Sequence, residues 1–488
     1  VGVRKVLGAG RRQLTGQFIL EAQASAWLGL LLAGLLTLLV LPLANSLLDK
    51  TYTAAQLLRP NTLLAALVVT VLAGLAAGIY PAVGFSRLSS DRMLKGSRAG
   101  LAQKTGARRL LLLFQFAISI ALIIATLSIG RQISYMKDRP LGFAKTQQLV
   151  LPVRAWTGIE ARAETLQNEF GRQAAVSGAA FSSSLPGREM STFGTRLLEE
   201  DWNRSRVFQY LFCDFAFIGQ YRIAMAAGRP FRRDMGSDAA ACLVNRAAVR
   251  ALGLASPQAA LGHLLVGGND DNRMQIIGVS EDFHYRGLQA EVEPLVMELL
   301  TSPFGKDFSR HDFLTLGVET ARAREALAAV EATWRRLSPQ LPFEYFFLDD
   351  DFNRQYRAEE RIGKLSGALT VIGIAIACLG LLGMMTFSAQ RRRKEMAIRK
   401  VVGASVPQIA ARLNREFFWL LLAANLLAWP LAYFAVDNWL QGFANRAAIN
   451  PLLFAAAALA ALLLALLTIS LQTLKAARAN PVESLRHE

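Results

Sequence analysis

The sequence predicts an α-helical membrane protein with six transmembrane helices and one large α+β extracytoplasmic domain between the third and fourth. Three observations carry this prediction. Hydrophobic residues make up 53% of the 488 and charged residues only 19%, against about 25% in soluble chains, and the mean hydropathy is +0.29. The apolar excess is gathered into six blocks instead of being spread along the chain. Between the third and fourth blocks lies a stretch of about 230 residues with ordinary composition.

The blocks fall at 24–44, 62–82, 110–130, 366–388, 417–436 and 451–471. Each is about 20 residues, which at a 1.5 Å rise crosses a ~30 Å hydrocarbon layer. Orientation follows from the basic residues in the short flanks. Segments 1–23, 85–109, 389–416 and 472–488 hold 4, 7, 8 and 3 Lys and Arg, whereas 45–61 and 437–450 hold 2 and 1. Both termini are therefore expected in the cytoplasm, with the long insert outside, in the periplasm of a bacterium with an inner membrane. The same flanking pattern accounts for the net charge of +17 and argues against nucleic acid as a partner, which would call for a basic stripe interleaved with aromatics.

The insert, 131–364, reads as mixed α and β, in one or two lobes. "QLVLPV", "VFQYLFCDFAFIG", "ACLVN", "MQIIGV", "LVMELL" and "FLTLGV" are β-rich runs. Ile159, Leu166 and Phe170, and then Leu327, Val330, Trp334 and Leu337, recur at helical spacing. "AAGRPF" and "LGHLLVGGNDD" supply turn-forming breaks. Cys213 and Cys242 either form a disulfide or stand as two small buried hydrophobes; their spacing leaves both open.

The chain opens with "VGVRKVLGAG" and repeats the phrase at 396–405 as "MAIRKVVGAS". At an offset of 395, Arg4 meets Arg399, Lys5 meets Lys400, Gly8 meets Gly403, Ala9 meets Ala404, Gln13 meets Gln408 and Glu21 meets Glu416. Each copy precedes a spanning block, a short external loop, a second block and a basic tail. This is an internal duplication of a membrane module. Arg-Lys suits the anionic headgroup level, and glycine permits a reversal. Ser405-Val406-Pro407-Gln408 then has the spacing of a helix N-cap with proline in the first turn. Each copy thus predicts an elbow facing the cytoplasm, followed by an amphipathic helix along the membrane surface, either gripping a partner or anchoring the chain to lipid.

"RRRKEMAIRKVVGAS", its following pair of spans and the terminal "NPVESLR" resemble the FtsX-like permease domain of MacB-type ABC transporters. "GRPF", "LVNRAAVRALG", "IIGVSEDFHYRGL" and "EPLV" resemble, in order, that family's extracytoplasmic core domain. "FFLDDDFNRQY" and "DNWLQGF" resemble a subgroup in which two modules are fused. The resemblance implies that the chain is the C-terminal part of a longer permease. Residues 1–130 would hold the end of module one (elbow 1–23, spans 24–44 and 62–82) and the span 110–130. Residues 131–364 would be the periplasmic domain, and 365–488 the second module, with its elbow at 391–416.

The resemblance further implies a non-catalytic subunit of the inner membrane that transmits the work of a separate cytoplasmic ATPase, in two copies, to its periplasmic domain. A periplasmic adaptor is a further implied partner. The coupling role falls on Arg4, Lys5, Gly8, Ala9 and Gln13, and on Glu395, Arg399, Lys400, Gly403, Ala404 and Gln408. Export of antimicrobial peptides or antibiotics is the first expectation; lipoprotein release and cell-wall hydrolase regulation are the alternatives.

The residues themselves point away from chemistry. No G-x-x-x-x-G-K-[ST] loop occurs in the sequence, so ATP is expected on the partner and no cofactor on this chain. His263, His284, His311 and His487 have no metal-ligand spacing; His284 is expected to be structural at a lobe junction. Asp349-Asp350-Asp351 is expected to be solvated, with Arg354 or Arg357 as partner. Gly74-x-x-x-Gly78 and Gly373-x-x-x-Ala377 are spacings that allow close helix packing. An ion-driven secondary transporter would need acidic residues within its spans, and the middles of the six blocks have none.

Overall fold

In a computed structural model, residues 11–48, 50–86, 99–154, 156, 158–391 and 406–477 are described. They divide into two compact units. The first takes in the described residues up to 130, 360–436 and those from 449 onward; the second is 131–359 with 437–448. Among the described residues, six helices are long and apolar enough to cross a membrane. We number the principal helices α1 (Arg11–Leu48), α2 (Pro60–Ser86), α3 (Ala99–Asp138), α4 (Ile159–Gly171), α5 (Phe217–Gln220), α6 (Arg246–Ala251), α7 (Pro303–Phe308), α8 (Ala323–Leu337), α9 (Leu348–Asn353), α10 (Arg357–Arg391), α11 (Val406–Leu440) and α12 (Pro451–Ala477), with α4–α9 in the second unit.

In the first unit, α1 packs against α2 along the predicted small-residue seam. A Cβ on Gly74 would collide with the amide of Gln23, and one on Gly78 would lie 3.0 Å from the Ile19 Cα. Gln23 Nε2 donates across the seam to the Val71 carbonyl at 3.0 Å. Helices α3, α10, α11 and α12 share one buried core. Gly380 of α10 faces Leu112 and Gln115 of α3, while Gly373 faces Ser119 and Leu122. Thr126 Oγ1 lies 2.9 Å from both the Ser366 and Thr370 hydroxyls. Two further ladders, Ala424-Ala428-Ala432 on α11 and Ala457-Ala461-Ala465 on α12, are fully buried in this core. Their four-residue spacing gives each helix one smooth face, so backbones approach closely where the hydrophobic effect offers no drive. Asn425 satisfies its amide on its own helix, through the Leu421 carbonyl and the Trp429 indole.

One expectation is modified here. The surface helix expected before each second-copy and first-copy span is continuous with that span. α1 runs 38 residues and α11 runs 35 without interruption. No residue between the polar and apolar parts breaks the backbone ladder, so the helix carries through.

The second unit holds an 11-stranded sheet. Its strands are β1 (Gln148–Pro152), β2 (Val176–Ser182), β3 (Ser191–Leu197), β4 (Arg206–Cys213), β5 (Met225–Gly228), β6 (Ala241–Asn245), β7 (Leu264–Gly267), β8 (Arg273–Ser280), β9 (Leu295–Leu299), β10 (Phe313–Val318) and β11 (Phe346–Phe347). Pairing runs β4–β3–β7–β8–β6–β9, and β9 returns to β4 in parallel, which closes a six-stranded barrel. β5 adds to β8. The remaining strands form an open flank, β11–β1–β10–β2, that joins the barrel through the single ladder pair Ser182–Cys213.

The predicted β runs at 148, 241, 274, 295 and 313 are strands. The run at 207–219 is not one element: β4 stops at Cys213 and a helical turn, α5 (Phe217–Gln220), follows. Asp214 ends the strand by turning its carboxylate back onto the Phe181 and Ala216 amides. The predicted amphipathic helices are α4 (Ile159–Gly171), which buries Ile159, Leu166 and Phe170, and α8 (Ala323–Leu337), which buries Ala326, Val330 and Trp334.

Cys213 and Cys242 are both free and buried. They sit on β4 and β6 with β9 between them, and they belong to different apolar clusters. Neighbouring strands are about 4.8 Å apart, so two strands and opposite sheet faces put the sulfurs out of disulfide reach.

Candidate functional site

Of the residues expected to couple the chain to an ATPase, Arg4, Lys5, Gly8, Ala9, Glu395, Arg399, Lys400, Gly403 and Ala404 lie outside the described residues. Gln13 and Gln408 are described, and both are exposed on their helices. The site that the structure does assemble is elsewhere. It gathers three of the motifs singled out in the sequence into one junction of the second unit.

The junction is built around 437–448, the last turn of α11 and the loop that leads towards α12. Gln132, on the last turns of α3, is fully buried and spans this segment with its amide. Its Nε2 donates to the Asn445 carbonyl at 2.8 Å, and its Oε1 accepts from the Ala447 amide at 2.7 Å. From the other side, the "EDFHYRGL" region contributes backbone. The Ala444 N–H donates to the Gln289 carbonyl at 2.9 Å, and both the backbone N–H and Nδ2 of Asn445 donate to the Leu288 carbonyl. Phe443 is 8% exposed, in a cluster with Met136, Leu141, Leu288, Phe352 and Tyr356, and stacks edge-on with Trp439 at 4.8 Å.

The "FFLDDDFNRQY" motif closes the ring, with α9 (Leu348–Asn353) leading into α10. The Tyr356 hydroxyl accepts from the Leu288 amide at 3.3 Å. Gln355 Oε1 accepts from the Gly287 amide at 2.7 Å, and its Nε2 donates to the Gly187 carbonyl at 3.1 Å. Gln289 Nε2 donates to Glu359 Oε1 at 3.1 Å. Of the acidic run, Asp351 pairs with Arg188 through two bonds of 2.9 and 3.3 Å, and with the predicted Arg354 only at 3.7 Å. Arg188 came from a distant turn, which no local spacing advertised. His284 anchors Leu141 through its backbone N–H at 2.8 Å. Burial holds its imidazole below the usual range, and the charge of Arg139 adds to this. Among the described residues no group of His, Cys, Asp and Glu could hold a metal ion.

The other motifs fix the barrel under the junction. Asn245 of "LVNRAAVRALG" is fully buried, and its Oδ1 accepts from both the Ala248 and Leu295 amides. This caps α6 (Arg246–Ala251) and ties it to β9. Asp282 accepts from the Ala247 amide, beside the Arg246–Glu281 pair. In "GRPF", Gly228 has φ +70, and a Cβ there would collide with the Ile277 carbonyl; Arg229 grips the buried Asp238 through bonds of 2.8 and 2.7 Å.

A second feature of the same unit is a cleft of about 740 Å³ at the single-rung seam between flank and barrel. Phe181, Leu299 and Leu300 are among its apolar lining, Glu160 and Glu164 come from α4, and Lys306 and Arg310 from the far side. Burial pushes the Asp214 carboxyl up to about 6, against donors from the backbone and Gln167.

Residues 1–90 and 367–481 fit the family of FtsX-like permease C-terminal domains. Over these two segments, less than half of the chain, the protein is similar to the FtsX-like permeases. One matched segment carries α1 and α2, and the other carries most of α10 with α11 and α12. The second unit lies between them in sequence, outside both matches save for 437–448. No curated protein matches the chain.

Among solved structures, the chain is similar to the periplasmic region of MacB from Actinobacillus actinomycetemcomitans, with 12% identity and a TM-score of 0.31 over 43% of this chain and 92% of that one. It is also similar to the extracellular domain of the noncanonic ABC-type transporter YknZ from Gram-positive bacteria, with 14% identity and a TM-score of 0.29 over 41% and 96%. A permease-protein domain from Porphyromonas gingivalis is a third, with 16% identity and a TM-score of 0.29 over 43% and 93%.

Proposed function

We propose that this chain is an ABC-transporter permease, a non-catalytic subunit that converts ATP hydrolysis by a separate cytoplasmic ATPase into movement of its external domain, with export of antimicrobial peptides or antibiotics as the outcome. One observation carries the reading. The segment 437–448, the end of α11 and the loop after it, is bonded into the external unit through Gln132, Leu288 and the Phe443 plug. A displacement of α11 or α12 therefore pulls on hydrogen bonds that are buried, and breaking them without water costs about 1–3 kcal/mol each. That is a link suited to transmitting force. The Arg-Lys-x-x-Gly-Ala elbows, written twice in the sequence, suit an engine with two ATPase subunits.

The test uses the full-length permease co-expressed with its ATPase, in nanodiscs. Spin labels on two exposed positions of the external unit report distance with and without ATP, and single cysteines at Ala9 and Ala404 report crosslinking to the ATPase. The expected result is crosslinking at both elbows and an ATP-driven distance change that Phe443→Ala abolishes while hydrolysis continues. Hydrolysis-linked movement that is unchanged in Phe443→Ala would sink the linkage. Absence of crosslinks at both elbows would sink the ATPase partnership.

A further inference from the structure

A smaller cleft of about 350 Å³ opens in the external unit where β1, β2, β10 and α5 meet, away from the junction. Its lining has an unusual composition. Gln147, Gln148, Gln220, Thr146 and Ser177 supply neutral hydrogen-bonding groups, the rest is glycine and alanine, and Arg222 is the one charged residue. No aromatic ring and no carboxylate lines it.

Two features mark the cleft as built for an occupant. Among the described residues, only Gln147 (φ 65) and Arg222 (φ 52) are non-glycine residues in the left-handed region, and both line this cleft. Arg222 follows α5, with its N–H on the Gly219 carbonyl and the Ile223 N–H on the Ile218 carbonyl. That helix-ending position is where glycine is ordinarily favoured, so the chain keeps a strained arginine where glycine would be cheaper, and such strain concentrates at ligand sites. Nor is the guanidinium spoken for: among the described residues the Arg222 side chain makes no hydrogen bond or ion pair.

The second feature is the floor. Gln220 Nε2 donates to Gln148 Oε1 at 2.7 Å, and Gln148 Nε2 donates to the Gln220 carbonyl at 3.1 Å. A Cβ at Gly178 would strike Gln220 Oε1, and one at Gly317 would lie 2.8 Å from its Nε2. The two glycines thus make room for a fixed amide pair, with Gln148 only 4% exposed.

We propose that this cleft binds the C-terminal end of a peptide, with the Arg222 guanidinium holding the terminal carboxylate and the glutamine amides pairing with the peptide's own amides. Each alternative class fails on the lining. A cation finds no carboxylate, and a sugar finds no aromatic face to stack on. A phosphate group finds one cation where two negative charges need more. A monoanionic, amide-bearing ligand matches a single fork beside neutral donors and acceptors, and the volume admits about two residues. The site does not rest on the coupling reading, because binding here needs no ATPase.

The experiment titrates the full chain in nanodiscs with N-acetyl-alanyl-alanine and, separately, with its C-terminal amide, following heat and thermal midpoint. The free acid is expected to bind saturably in the millimolar range or below, and the amide about tenfold or more weakly. Arg222→Gly is expected to abolish the preference for the acid while raising the midpoint of the external unit by a few degrees, since the strain is relieved. Because that variant gains stability, loss of binding in it cannot be ascribed to misfolding. Arg222→Lys should keep part of the preference. Equal binding of acid and amide, acid binding that survives Arg222→Gly, or no binding of the acid at millimolar concentration would each overturn the proposal.

Discussion

Replacing Glu298 by glutamine is expected to stabilise the second unit at pH 8 and to leave it nearly unchanged at pH 4.5. Glu298 lies on β9 with 1% of its surface exposed. Its carboxylate receives only two hydrogen bonds, from Asn272 Nδ2 and the Ser302 hydroxyl, each 3.1 Å long. Burial outweighs them and pushes its pKa up to about 7. Burial holds the Tyr210 hydroxyl and the Cys242 thiol well above their usual values, and the Glu298 charge adds to this.

For an acid whose folded pKa is raised, folding favours the protonated form. The stability is fully present below the ordinary value of 4.5, declines as pH rises, and is lost above about 7. The interval corresponds to about 3 kcal/mol. Glutamine holds the neutral state at every pH. Its carbonyl accepts the Ser302 hydroxyl, and the Asn272 amide can turn its oxygen toward the new NH₂. Hydrogen exchange of β6 and β9 amides, measured by mass spectrometry on the full chain in nanodiscs, gives opening free energies once intrinsic rates are corrected for pH. The wild type should lose up to about 3 kcal/mol between pH 4.5 and 8, and Glu298→Gln should show no such slope. A variant less stable than wild type at pH 8, or a wild type with no slope, would refute the reasoning.

Other perturbations test the remaining parts. Gln132→Leu leaves the Asn445 carbonyl and the Ala447 amide without their buried partner. It should cost about 2–4 kcal/mol in the opening of 444–447 while barrel amides keep their protection, as read by the same exchange experiment. Gly228→Ala forces a side chain into the Ile277 carbonyl at a left-handed position, and a loss of about 2 kcal/mol or more is expected by denaturant titration. Gly74→Leu should wedge α2 from α1. Disulfide formation between cysteines placed at Ile19 and Gly78 should then slow markedly in membranes, and an unchanged rate would mean the seam is not closely packed. Asp214→Asn should flatten the pH dependence of the flank near pH 6, where the wild type is expected to lose stability as pH rises through the raised pKa.

The sequence by itself determined whatever depends on short-range transfer energies and periodicity. The six spans follow from about 20 consecutive apolar residues each, since a backbone in lipid must satisfy its own hydrogen bonds as a helix. The amphipathic helices followed from Ile159, Leu166 and Phe170 and from Val330 and Trp334, because one buried face imposes a 3.6-residue period on the sequence. Strand β6, with all five residues of "ACLVN" buried, was equally legible. Strand β2, "VSGAAFS", was not. Its small and polar residues carry little strand preference, and it is β10 beside it that makes it a strand.

The tertiary structure alone decided the site. Gln132, Leu288, Tyr356 and Phe443 are far apart in the chain, and nothing near any of them signals the others. The motifs "EDFHYRGL", "FFLDDDFNRQY" and "DNWLQGF" stood out as patterns, but the reason for them is that their backbones and amides complete one buried hydrogen-bond ring. The same holds for Glu298, whose raised pKa belongs to the barrel around it, and for Arg222, whose strained backbone and free guanidinium acquire meaning only beside Gln148 and Gln220. Hydrogen bonding and desolvation are set by what surrounds a group in space. Spans and helices are set by what precedes and follows it in the chain.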